Sequence, residues 1–81
     1  MTKAIHVHYF SILKDESKVA EETIQTAANT PSDLYDELVR KYQFSLPKSA
    51  VKVAINDEFK DWSTQLNNVD VVIFIPPVSG G

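Results

Sequence analysis

The sequence predicts an α+β fold: a mixed sheet with one main helix across one face and an extended tail at the C-terminal end. Two observations carry that reading. Segments with period-2 alternation flank one segment with helical spacing, in the order strand, strand, helix, strand, short strand, strand. The 81-residue chain has two glycines, and they stand together at Gly80 and Gly81. Average usage of roughly 7% would put about five or six in such a chain, spread over its turns.

The first strand is Ala4 to Phe10, AIHVHYF. Ile5, Val7 and Tyr9 share one face, and His6, His8 and Phe10 share the other. Ser11 to Lys18 is mostly polar and reads as a turn or one helical turn. Val19 to Ala27 reads as a second strand, with β-branched residues and acidic outward positions, although its Ala and Glu also suit a helix. Thr30-Pro31-Ser32-Asp33 is a helix start: Thr30 can cap, Pro31 suits the first position and Asp33 fits the acidic slot of a capping box. Leu34, Tyr35, Leu38, Val39 and Tyr42 then form one apolar stripe, so the helix is expected over Pro31 to Tyr42.

Val51 to Ile55 is a third strand. Asn56-Asp57 can close a tight turn without glycine, because both residues tolerate positive φ. Glu58 to Trp62 is a short return strand, Asn67-Asn68 another turn, and Val69 to Ile75 the last strand. In so short a chain the first and last strands pair most simply in parallel at the sheet centre. That is the β-grasp, or ubiquitin-like, arrangement. Residues 1–75 are expected to form this domain and residues 76–81 a flexible tail.

The last strand is apolar on both sides. Val72 and Phe74 point one way, and Val71, Ile73 and Ile75 the other. One helix covers only one face, so the other is expected to expose apolar area, the mark of a partner surface. Phe10, by its parity, and Phe59, beside the hairpin turn, add to it. The competing reading folds Gln43 to Ala50 over that face as a cover.

Several functions are excluded or disfavoured. The net charge of −3, a pI near 5.2 and the lack of a basic run argue against nucleic-acid binding. Without cysteine there is no disulfide framework, thiolate metal site or cysteine nucleophile. The N-terminus alternates and lacks a signal peptide's apolar core, and the longest apolar run, Val71 to Pro77, is too short to span a bilayer. No membrane association and a cytoplasmic location are expected. His6 and His8 lack further histidine or cysteine partners and read as a solvated strand face, so no metal site is expected. Glu21-Glu22 reads as a solvated strand edge, Trp62 as part of a peripheral apolar cluster, and Tyr35 and Tyr42 as core. No nucleophile–base pair or phosphate-cradling loop is present, and independent catalysis is not expected.

Pro76-Pro77 ends the sheet and stiffens the exit, since proline cannot donate to a ladder. Val78-Ser79-Gly80-Gly81 is then expected to protrude. Two residues without Cβ can enter a channel too narrow for side chains. The carboxylate expected on Gly81 is a chemical handle once adenylated: a sulfur or nitrogen nucleophile can then displace AMP.

The chain resembles the family of molybdopterin synthase small subunits, the MoaD family. The resemblance runs nearly end to end, through VHYFSILKD, TPSDLYDELVRKY, VKVAINDEF and VVIFIPPVSGG. It implies a sulfur carrier that binds no cofactor of its own. A ubiquitin-activating-like adenylyltransferase uses ATP to adenylate the terminal glycine, here Gly81. A sulfurtransferase supplies sulfur, and the product is a thiocarboxylate. The tail, Pro76, Pro77, Val78, Ser79 and Gly80, inserts into the large subunit of a heterotetramer of two small and two large chains. Sulfur then passes to cyclic pyranopterin monophosphate. By resemblance, Phe10, Phe59 and Ile75 match interface positions, and Lys14 falls where the family often has arginine. The family often has glycine where this chain has Val69, and again after the first helical turn, in the region of Asp15 to Lys18. Alternatives are a sulfur carrier for thiamin or tRNA thiolation, a ubiquitin-like protein modifier, and a non-covalent binding module.

Overall fold

The computed structural model describes residues 2–77. The elements are β1 (Lys3–Tyr9), α1 (Ile12–Ser17), β2 (Glu21–Thr26), α2 (Pro31–Tyr42), a 3-10 turn (Lys48–Ala50), β3 (Lys52–Ile55), β4 (Glu58–Lys60) and β5 (Val71–Ile75). The sheet order is β2-β1-β5-β3-β4. β1 and β5 pair in parallel at the centre, and the other neighbours are antiparallel. This is the β-grasp arrangement expected from the sequence.

α2 starts as its first residues dictate. Thr30 Oγ1 accepts from the Asp33 backbone N–H at 3.1 Å, and Pro31 is buried in the first turn. The helix stops at Gln43, which turns left-handed and donates its N–H to the Val39 carbonyl at 2.7 Å. Leu34, Tyr35 and Leu38 are buried against Ile5, Val7, Tyr9, Val53, Val72 and Phe74. Tyr35 sits in an aromatic cluster, with ring centroids 5.2 Å from Phe74, 5.4 Å from Trp62 and 5.8 Å from Phe44. Its phenol donates to the Leu46 carbonyl at 2.7 Å, and burial pushes its pKa up to about 12. The Gln43 to Ala50 segment therefore closes the helix side of the sheet. It does not cover the opposite face.

Glycine scarcity leaves a backbone signature. Ser11, Lys18, Gln43, Asn56, Asp57 and Val69 all have positive φ. Asn56-Asp57 suits this and closes the β3–β4 hairpin between Ile55 and Glu58. Val69, at φ 64, is the strained member, because a β-branched side chain disfavours the left-handed region. The same turn explains why β5 begins at Val71 and not at Val69 as the alternation suggests. Asn56 holds the turn to the sheet: its side chain donates to Asp70 at 3.0 Å and accepts from the Val71 N–H at 3.0 Å.

Two further expectations change. β4 ends at Lys60, so Trp62 is not in a strand; its ring stacks on Phe74 at 5.8 Å. Glu22 is no solvated edge residue. Its carboxylate accepts 2.6 Å hydrogen bonds from both Tyr9 and Tyr42 hydroxyls and lies 3.6 Å from Lys41 Nζ. Alternation places Glu22 on the helix side of edge strand β2, opposite Val7. Glu21 is exposed on the other side.

Candidate functional site

The open face of the sheet is built by register. One row across it reads Glu21, His8, Ile73, Ala54 and Phe59, from β2 through β1, β5 and β3 to β4. The row changes character midway. Its β2–β1 end is polar: His8 Nδ1 lies 3.8 Å from Glu21, and in the adjacent row His6 Nδ1 lies 2.7 Å from the Thr23 hydroxyl. Its β5–β3–β4 end is apolar. Ile73 is half-buried, Ala54 buried, and Phe59 73% exposed. Ile75 pairs with Lys52 and is half-buried. Phe10 follows the Tyr9–Phe74 pair, which puts it level with Ile75, and it is 50% exposed. An apolar patch thus surrounds the end of the central strand, where the chain leaves the sheet.

Of the residues expected at an interface, Phe10, Ile75 and Phe59 lie on this one face. Lys14 lies on α1, exposed, and makes no ion pair among the described residues. Ile73 and Ala54 complete the patch. Ile73 was readable from strand parity, whereas Ala54 needed the hairpin register. Pro76 is buried and Pro77 exposed. Val78, Ser79, Gly80 and Gly81 lie outside the described residues.

Electrostatics separate this patch from the opposite side of the sheet. Beneath β2, burial opposes the Glu22 charge, but hydrogen bonds from Tyr42 and Tyr9, with the Lys41 cation, outweigh it; the carboxyl is held below its ordinary range. Burial, then Glu22 itself, pushes the Tyr9 and Tyr42 phenols up. These groups are mutually satisfied and face the helix, so they are structural. Among the described residues no group of three His, Asp or Glu is placed to hold a metal, and no helix is long and apolar enough to cross a membrane.

Residues 7–81 of the chain are matched by a family model described as the ThiS family. The chain belongs to the ThiS family. It has the ubiquitin-like sulfur-carrier fold shared with MoaD proteins. Solved relatives include a Pyrococcus furiosus chain assigned as molybdopterin converting factor subunit 1. It is 24% identical, with 94% of this chain and 99% of that one covered and a TM-score of 0.78. A chain from the complex of subunits 1 and 2 of molybdopterin-converting factor from Helicobacter pylori 26695 is 29% identical, with 96% and 99% covered and a TM-score of 0.65. Small archaeal modifier protein 1 from Methanosarcina acetivorans is 20% identical, with 100% and 99% covered and a TM-score of 0.79.

Proposed function

We propose that this chain is the sulfur-carrying small subunit of a molybdopterin synthase. The observation that carries the reading is the continuity of β5. The strand borders the uncovered apolar patch and runs straight into PPVSGG. A partner seated on Phe10, Ile73, Ile75 and Phe59 would receive the chain end at the edge of its own footprint. In this reading the domain docks and residues 76–81 deliver.

The chemistry takes place on Gly81, in sites supplied by other proteins. Its carboxylate attacks the α-phosphate of ATP held by an activating adenylyltransferase, and pyrophosphate leaves. Hydrosulfide released by a sulfurtransferase donor then attacks the acyl carbon, AMP leaves, and the acyl sulfur is left as a thiocarboxylate. Pro76 to Gly80 thread into the large subunit, where the sulfur is transferred to cyclic pyranopterin monophosphate. By the resemblance, exposed Lys14 on α1 offers the partner a cation, without arginine's bidentate fork.

A second reading, a ubiquitin-like modifier, has its own support in the similarity to small archaeal modifier protein 1. Here a lysine amine displaces AMP and forms an isopeptide bond. The two readings diverge at the acceptor. A chain carrying the Gly81 thiocarboxylate is incubated with a large subunit and cyclic pyranopterin monophosphate. The synthase reading expects a dithiolene pterin, with sulfur lost from the chain. Unchanged pterin with an active large subunit, and conjugates on lysines in extracts, would replace it with the modifier.

A further inference from the structure

Beyond the Val53–Lys60 pair, β3 and β4 part and leave a cleft of about 700 Å³ at the edge of the sheet. Val51, Val53 and Trp62 give it an apolar lining, and Lys48, Lys52 and Lys60 line it with cations against the single carboxylate of Asp61. The lining thus carries an excess of positive charge in a chain whose net charge is −3. Two of the lysines make partly exposed ion pairs: Lys48 lies 2.8 Å from Asp36, and Lys60 lies 3.6 Å from Glu58. Pairs open to solvent contribute little, so these cations can take a new partner at small cost. Lys52 makes no ion pair among the described residues.

The cleft is continuous with the open face. Lys52 pairs with Ile75 and so stands on that face, in the row of Ile75 and Phe10. Phe59 lines the cleft and also carries the neighbouring row out to β4. It lies two strand spacings from Ile73, or roughly 10 Å. A protein footprint of standard size, about 800 Å² on each partner, is about 30 Å across if round. A partner centred on Ile73 therefore extends over Phe59 to the cleft. A lone small anion would leave the apolar lining wet. A protein loop can place a carboxylate and an apolar side chain there together.

We propose that this cleft receives an acidic loop of the protein that docks on the open face, with carboxylates meeting Lys52 and Lys60 and an apolar side chain packing against Trp62. The proposal rests on the docking reading above and carries the footprint round the edge of the sheet. It divides the labour of recognition. The apolar patch supplies buried area, and the cationic cleft steers the encounter and rejects partners that lack a matching acidic loop.

The test titrates the chain with the large subunit, read by calorimetry and by the NMR signal of the Trp62 indole. Lys52 borders both the open face and the cleft, so Lys60 and Trp62 carry the discrimination. The cleft expects the Trp62 signal to move on complex formation. Lys60→Ala should weaken docking about fivefold, the upper end for an exposed ion pair. Lys60→Glu should weaken it further, and Lys52→Glu likewise. These losses should shrink in about 1 M salt, where the Debye length is about 3 Å. Arg40→Ala, an exposed cation on α2, should dock as the parent does. A complex that needs Phe59 but leaves Trp62 unmoved, or binds Lys60→Glu as well as the parent, overturns the cleft and leaves the docking reading standing. Tighter binding by Lys60→Glu assigns the cleft to a basic segment and also overturns the proposal. No complex at all removes the docking reading, and the proposal with it.

Discussion

On one side of β5, Val72 and Phe74 are fully buried among the aromatic cluster under α2; on the other, Val71, Ile73 and Ile75 are only half-buried, with exposed Phe10 and Phe59 nearby. The two sets of side chains are chemically alike. Their fates differ because one helix and the segment after it cover a single face. Apolar character alone records a need for burial; it does not say what provides the cover. On the closed face the chain supplies its own, and on the open face the cover would come from the partner proposed above. The comparison separates residues that hold the fold from residues available for recognition.

The sharpest way to break that comparison is Phe74→Ala. Removing a fully buried aromatic should cost about 3–5 kcal/mol, most of the stability of a small domain. Chemical denaturation reads this directly, and Phe74→Leu gives a milder series member if the alanine variant does not fold. A loss below about 1 kcal/mol would place the core elsewhere.

Glu22 tests the closed side through its polar cluster. Glu22→Ala strands two phenol donors, one of them on the buried Tyr9, and should cost about 1–3 kcal/mol. The pH dependence has a fixed sign. The folded carboxyl titrates below the ordinary glutamate value of about 4.3, so its stabilisation is present above that value and is lost as pH falls through the folded pKa. Denaturation midpoints followed down to about pH 3 should fall less steeply in Glu22→Gln than in the parent.

Val69→Gly should raise stability by roughly 1 kcal/mol, since relief of left-handed strain exceeds the added unfolded-state entropy. The side chain is 66% exposed, so little packing is lost. A fall in melting temperature would show that φ 64 is not strained here.

The smallest stability effect belongs to the open face. Phe59→Ala should stay within about 0.5 kcal/mol of the parent. The same change should weaken docking to the large subunit by about tenfold or more, some 1.4 kcal/mol. Titration calorimetry would show it. A large stability loss with unchanged docking would reverse the roles of the two faces.

Local signals made much of this legible in the sequence. The Thr30-Pro31 start, the stripe of α2, the Asn56-Asp57 turn and the two-sided apolarity of β5 each lie within a few residues. The parity of Phe10 against Ile5 and Val7 was readable in the same way. What was not legible depends on distant partners. Glu22 looked like a solvated edge because its phenol donors lie 13 and 20 residues away. Trp62 could not be turned inward without knowing where Phe74 would sit. Ala54 joined the patch only through the register of β3 with β4 and β5. The turn at Val69 was concealed because a β-branched residue after Asn67-Asn68 reads as the start of a strand.

The most direct test of the central claim is the intact mass of the chain after incubation with ATP, a ubiquitin-activating-like adenylyltransferase and a sulfur donor. The carrier account expects a gain equal to one oxygen exchanged for one sulfur, mapped to Gly81 and abolished when Gly81 is deleted. An unchanged mass, with an adenylyltransferase shown to be active on another carrier, would contradict it.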